Sequence, residues 1–146
     1  MTDVRIHLCF DVEHDRDLYD QLLAQATRHA RFAVASRSES GAMTEAWTAR
    51  MRGRISDVDE VVVICGEHTD ESTRVSAELA IAREEKKPYV LLWGRRGSMC
   101  KKPRSARADD GMYLWTPAML DHQLATAMRR SREAAVPDGM KRQRRA

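Results

Sequence analysis

The run Val61-Val62-Val63-Ile64-Cys65 constrains the fold more than any other stretch of the chain. Five apolar residues in a row show no alternation, so both faces of the strand they form must be covered. A strand covered on both faces belongs inside a parallel sheet with helices above and below. In such sheets ligands bind at the rim where strands end and the next helices begin. Here the rim carries Gly66-Glu67-His68-Thr69, and Glu78 follows in the second turn of the next helix. A glycine turn, an imidazole and a carboxylate therefore fall where a site would lie.

The rest of the chain supplies the partners such a strand needs. Val4 to Phe10 reads as a first strand and Asp11 to Asp15 as a polar loop. Leu18, Leu22 and Ala26 recur at helical spacing and define a first helix ending near His29. Phe32 to Ala35 is a short second strand, and Ser36 to Gly41 a small-residue loop. Met43, Trp47, Met51 and Ile55 place an apolar stripe on a second helix, a core face rather than a cofactor box. Ser72 suits the N-cap of a third helix running to about Lys87, which Pro88 closes. Tyr89 to Trp93 and Met112 to Trp115 are strands four and five. Thr116-Pro117 opens a last helix, with Leu120, Leu124 and Met128 on its core face.

Alternation of strand and helix implies an α/β domain with helices on both faces of an open parallel sheet. With right-handed crossovers, the expected architecture is flavodoxin-like: five parallel strands in the order 2-1-3-4-5. The break is Gly94 to Gly111, which lacks an apolar period and reads as a long loop; loops of this length in compact domains are often functional.

A chain of 146 residues suits one domain, assigned here to residues 1–135. The last residues, 136–146, carry Lys141, Arg142, Arg144 and Arg145 against one acid, Asp138. That tail accounts for the whole net charge of +3 and reads as a basic, disordered end. The rest of the chain is neutral in sum, whereas a duplex-binding domain usually shows a basic face on its fold; weak nucleic-acid contact through the tail and the basic loop is the alternative reading. No apolar run approaches a membrane span, no signal peptide stands at the start, and Cys9 and Cys65 read as buried thiols without metal-ligand spacing. These features predict a cytoplasmic protein with no membrane partner and no metal.

Three common uses of this architecture fail on the residues. A phosphate-receiving regulator needs an aspartate ending strand three and a lysine after strand five; those positions hold Cys65 and Thr116. A flavin phosphate loop after strand one would be small and neutral, whereas Asp11-Val12-Glu13-His14-Asp15 repels phosphate. Neither a Walker sequence nor G-x-G-x-x-G is present.

A different family fits. Phe10-Asp11 with Asp15-Arg16-Asp17, Ile55-Ser56-Asp57, the turn Gly66-Glu67-x-Thr69, and Ser72 followed by Glu78-Leu79 and Ala82 form one set of matches. Lys87-Pro88, Lys102-Pro103, Asp109-Asp110 and the end Tyr113-x-Trp115-Thr116 extend it. Over roughly residues 4 to 130 the chain resembles the TIR-like family that includes the small TIR proteins of the Thoeris antiphage system. Aromatic residues often flank the helix glutamate in that family; Arg74, Val75 and Ala77 stand here.

The resemblance implies NAD⁺ as substrate, with no tightly bound cofactor. It implies release of nicotinamide and an ADP-ribose-derived, cyclised or conjugated signal, with Glu78 matching the catalytic glutamate. It further implies self-association, a downstream effector that senses the product, and a phage-derived activator. The alternative is a non-catalytic TIR-like interaction module.

Glu78 also has a case on its own residues. It borders the stripe of Val75, Leu79 and Ala82, where it is either a partly desolvated carboxylate that reaches a ligand or an ordinary solvated helix glutamate. Phe10 and the loop residues Asp11, Glu13, His14 and Asp15 either wall a nucleotide pocket or solvate and cap the first helix. Gly66, Glu67 and His68 either cap the next helix or face the ligand, and Ser36 and Arg37 are candidates for the same pocket. His7, within strand one, reads as structural. The basic loop from Gly94 to Ala108 either holds a pyrophosphate or is solvated, and Trp93 and Trp115 either stack on a base or belong to the core.

Overall fold

The computed structural model describes residues 4–29 and 32–135. Five strands, β1 (Val4–Cys9), β2 (Phe32–Arg37), β3 (Glu60–Cys65), β4 (Tyr89–Trp93) and β5 (Met112–Leu114), form one sheet. All pairings are parallel and the order is β2-β1-β3-β4-β5. Helices α1 (Arg16–His29), α2 (Glu45–Ser56), α3 (Thr73–Glu84) and α4 (Pro117–Ala135) connect or follow them. The flavodoxin-like arrangement expected from the alternation is the one observed.

The apolar run of β3 divides its side chains between two cores. Val61, Val63 and Cys65 face α2 and α3, where Trp47, Met51, Ile55, Val75, Leu79 and Ala82 cover them. Val62 and Ile64 face α1 and α4, where Leu18, Leu22, Leu120 and Leu124 close the opposite core. Fully burying each such side chain contributes about 1.5–3 kcal/mol, so the central strand is the strongest single anchor of the domain. Side-chain oxygens cap the helix starts, at Ser72 and Thr116 as expected and also at Thr44. Thr44 accepts from the Trp47 amide at 3.1 Å, Ser72 from Val75 at 3.2 Å and Thr116 from Met119 at 3.1 Å.

Met43, placed by its spacing on the stripe of the second helix, precedes α2 and is exposed, and β1 and β5 each stop one residue short of the expected ends. Three further details differ from the periodicity. β2 continues through Ser36 and Arg37, because a register irregularity lets these residues keep pairing with His7 and Leu8. β3 begins one residue earlier, at Glu60, a buried acid that no hydropathy pattern would place in a strand. α3 ends at Glu84 rather than near Lys87, because Lys86 adopts a left-handed φ of 55° and turns the chain toward β4. The Met128 side chain and the basic tail from residue 136 lie outside the described residues. Among the described residues, no helix is long and apolar enough to cross a membrane.

Candidate active site

Glu78 does not stand at the edge of its helix stripe. It is fully buried, and α3 carries it over the middle of β1. Sequence periodicity placed it at a border, but α3 packs flat enough on the sheet to bring position 78 into the interior. Its carboxyl group lies among polar partners. Ser38 Oγ donates toward Oε1 and Oε2 at 3.0 and 2.9 Å. His7 Nε2 lies 2.6 Å from Oε1, and His7 Nδ1 lies 2.6 Å from Ser36 Oγ. Ser38 Oγ in turn accepts from the Phe10 amide at 3.0 Å. Cys9 Sγ lies within 4.8 Å of the Glu78 carboxyl group; burial, with the nearby carboxylate adding to it, pushes its thiol well above the ordinary range. Cys9 is therefore protonated and not a nucleophilic thiolate. A buried carboxylate is tolerated only when so surrounded.

His7, Cys9 and Glu78 offer nitrogen, sulfur and oxygen atoms within 4.8 Å of one another, a donor set that would suit zinc. The 2.6 Å contact speaks against that use. Two ligands of one tetrahedral ion, with bonds of about 2.0–2.1 Å, stand roughly 3.3 Å apart. The imidazole and carboxylate are in direct hydrogen-bond contact instead.

Beside this buried cluster, at the carboxyl rim, opens a cleft of about 350 Å³. It is lined by Asp11 to His14 after β1, Ser40 and Gly41 after β2, and Glu71 to Arg74 at the start of α3. Its size falls at the small end of ligand pockets. Asp11 accepts from the Glu13 amide at 3.0 Å and from His14 Nδ1 at 2.8 Å, and this contact raises the His14 pKa. The His14 ring stacks on His68 with centroids 4.2 Å apart.

Arg74 is the most committed side chain of the rim. Its guanidinium donates to the carbonyls of Glu39 and Gly41 and sits 5.9 Å over the Trp47 ring. Arg74 lies one helical turn before Glu78, on the same side of α3. It thus straps the loop that carries Ser38 against the helix that carries Glu78. Gly41, at φ 113°, supplies the left-handed turn that lets the loop reach back to Arg74.

The structure separates the residues that the sequence grouped as pocket walls. Asp11, His14 and His68 come together at the cleft, with Glu67 exposed nearby. Phe10 does not line it: the ring is buried in the opposite core, stacked on Tyr19 at 4.9 Å. Asp15 is also turned away, with only 1% of its side chain exposed, and it meets Arg95 at 3.0 Å. Burial raises the Asp15 pKa, and Arg95 acts against that rise. Gly66 lies against the same carboxylate, so its role is to leave room for Asp15. Ser36 reaches His7, and Arg37 lies 5.1 Å over the Tyr19 ring on the far face.

Two cations of the basic loop are consumed internally. Arg95 bridges Asp15 and Asp17, and Lys102 donates to the carbonyls of Arg107, Ala108 and Asp110. Trp93 and Trp115 are half-buried, donating to Arg95 O and Gln25 Oε1. They border a separate hollow of about 550 Å³ between α1 and the turn after β4.

A family model of the Thoeris protein ThsB, TIR-like domain, matches residues 7–96. The chain belongs to that family. The match spans β1 through β4, and so includes His7, both serines, Arg74 and Glu78. No curated protein matches the chain. The chain is thus a TIR-like protein of the Thoeris antiphage type.

Sequence reasoning missed four residues of this TIR-like site: Cys9, Ser38, Arg74 as a strap, and His7 as the direct neighbour of Glu78. One signal was available for His7. A histidine at an inward position of a covered strand needs partners at both ring nitrogens.

Proposed function

We propose that this protein cleaves NAD⁺ at the bond between nicotinamide and ribose, with Glu78 as the catalytic carboxylate. The observation that supports this reading is the fixed Glu78 carboxyl group, held by Ser38 and His7 one helical turn from Arg74, which lines the rim cleft. As the bond breaks, its electron pair leaves with neutral nicotinamide and positive charge grows on the ribose. A carboxylate that need not reorganise stabilises that charge, and a neutral leaving group needs no strong acid. Water, or a nucleophile within the substrate, then takes the ribose carbon and loses a proton, giving ADP-ribose or a cyclised product as the signal for a downstream effector.

Because Glu78 is fully covered, turnover on this reading requires the 39–41 loop to move away from Arg74. Self-association or a phage-derived activator would supply that step. The same burial favours a second reading, a TIR-like interaction module without catalysis. Measuring nicotinamide release by the assembled, phage-activated protein separates the two. Catalysis predicts release that Glu78→Gln abolishes. No release from the activated wild-type protein would sink the enzymatic reading, and partner binding that survives Glu78→Ala would establish the module.

A further inference from the structure

The β1–β2 register carries an irregularity whose effect converges on Glu78. Ile6 pairs with Val34, but His7 pairs with Ser36, so Ala35 is an extra residue. One extra residue reverses which face of the sheet every later side chain meets. Before it, Phe32 and Val34 pack in the core under α1 and α4. After it, Arg37 takes that face, over Tyr19, while Ser36 and Ser38 turn to the face of His7, Cys9 and Glu78. Without the bulge the serines would face the opposite core and Glu78 would lose Ser38.

A leucine at position 7 would fill the same interior with no polar atom to satisfy. The chain instead places an imidazole there and holds it at both nitrogens, Ser36 on one side and Glu78 on the other, at 2.6 Å each. Two anchors fix the ring plane, and the fixed ring fixes Oε1 of Glu78. Oε1 is then engaged by both His7 and Ser38, whereas Oε2 meets Ser38 at 2.9 Å. Bulges are enriched beside active sites because they re-aim side chains in this way.

We propose that His7, aligned by Ser36 through the Ala35 bulge, is the positioning residue that orients the Glu78 carboxylate for reaction. This rests on the reading of Glu78 as the catalytic group. His7 itself is fully buried and touches no cleft, so it acts only through Glu78.

The test compares His7→Leu, His7→Gln and Ser36→Ala with the wild-type protein in nicotinamide release. His7→Leu is expected to lower kcat by roughly ten- to a hundredfold with KM within about twofold, since orientation and not binding is lost. His7→Gln keeps one donor toward Glu78 and should recover part of that loss, and Ser36→Ala should fall between them. Unchanged kcat in His7→Leu, or kcat and KM moving together, overturns the proposal. A second measurement keeps the two readings apart. Nitrogen-15 spectra of the His7 ring should show a strongly hydrogen-bonded Nε2 proton that disappears in Glu78→Ala. If the activated wild-type protein releases no nicotinamide, the enzymatic reading fails, and His7 is then judged by that signal. Absence of the signal from the wild-type protein overturns the positioning as well.

Discussion

Glu60 opens β3 with its side chain fully buried, and neither carboxyl oxygen has a partner among the described residues. Burial, with a smaller push from Asp59, raises its pKa from 4.5 to about 9. At pH 7 the group is therefore protonated in the folded chain and ionised in the unfolded one. Folding must take up that proton against a gap of about 2.5 pH units, which costs about 3 kcal/mol at 1.36 kcal/mol per unit. The sign follows from the raised value. Both states are protonated below about pH 4.5, so the cost is absent there; it grows as pH rises and levels off above about 9.

Glu60→Gln keeps the shape and stays neutral at every pH. It should therefore be more stable than the wild-type protein by about 3 kcal/mol at pH 7 and by only about 0.8 kcal/mol at pH 5. For a chain of this length, 1 kcal/mol moves Tm by about 2–4 °C, so the expected gain at pH 7 is about 6–12 °C. Thermal unfolding of both proteins in steps from pH 5 to 8 reads the effect directly. Two Tm curves that run parallel across this range would refute the reasoning, because a group with the same pKa folded and unfolded gives no pH-dependent difference.

Two further outcomes follow from the rim. A Cβ at Gly66 would stand 2.3 Å from Asp15 Oδ2 and 2.6 Å from Oδ1, and Arg95 keeps that carboxylate from swinging away. Gly66→Ala should therefore lower stability by about 1–3 kcal/mol in urea unfolding, and an unchanged midpoint would contradict the close packing. Arg74→Ala removes two charge-assisted bonds to the 39–41 loop. Each such bond contributes about 1.5–3 kcal/mol, so losing even one should raise the open population by roughly ten- to a hundredfold. Faster proteolysis within residues 39–41 and a higher rate of nicotinamide release without activator are the expected readouts; unchanged rates of both would show that Arg74 is no strap.

Local pattern was enough for the architecture and not for the chemistry. The continuous apolar β3, the stripe of Trp47, Met51 and Ile55 at a spacing of four, and the Ser72 and Thr116 caps each express interactions within a few residues. Such signals survive in one dimension, and with the right-handed crossover rule they lead to the 2-1-3-4-5 sheet. Glu78 could be singled out on the same basis, as a carboxylate on the helix after β3.

Its surroundings could not. His7 meets Glu78 across 71 positions, Ser38 meets it across 40, and Arg95 reaches Asp15 across 80. These contacts depend on strand register, and register depends on one unpaired alanine whose effect is to reverse a face of the sheet. No periodicity announces that reversal, because Ser36 and Ser38 have the same spacing whichever side they meet. The depth of Glu78 is likewise set by how closely α3 lies on β1. The line of amino acids therefore specified the sheet and nominated its carboxylate, while packing between distant segments made that carboxylate buried, held and strapped.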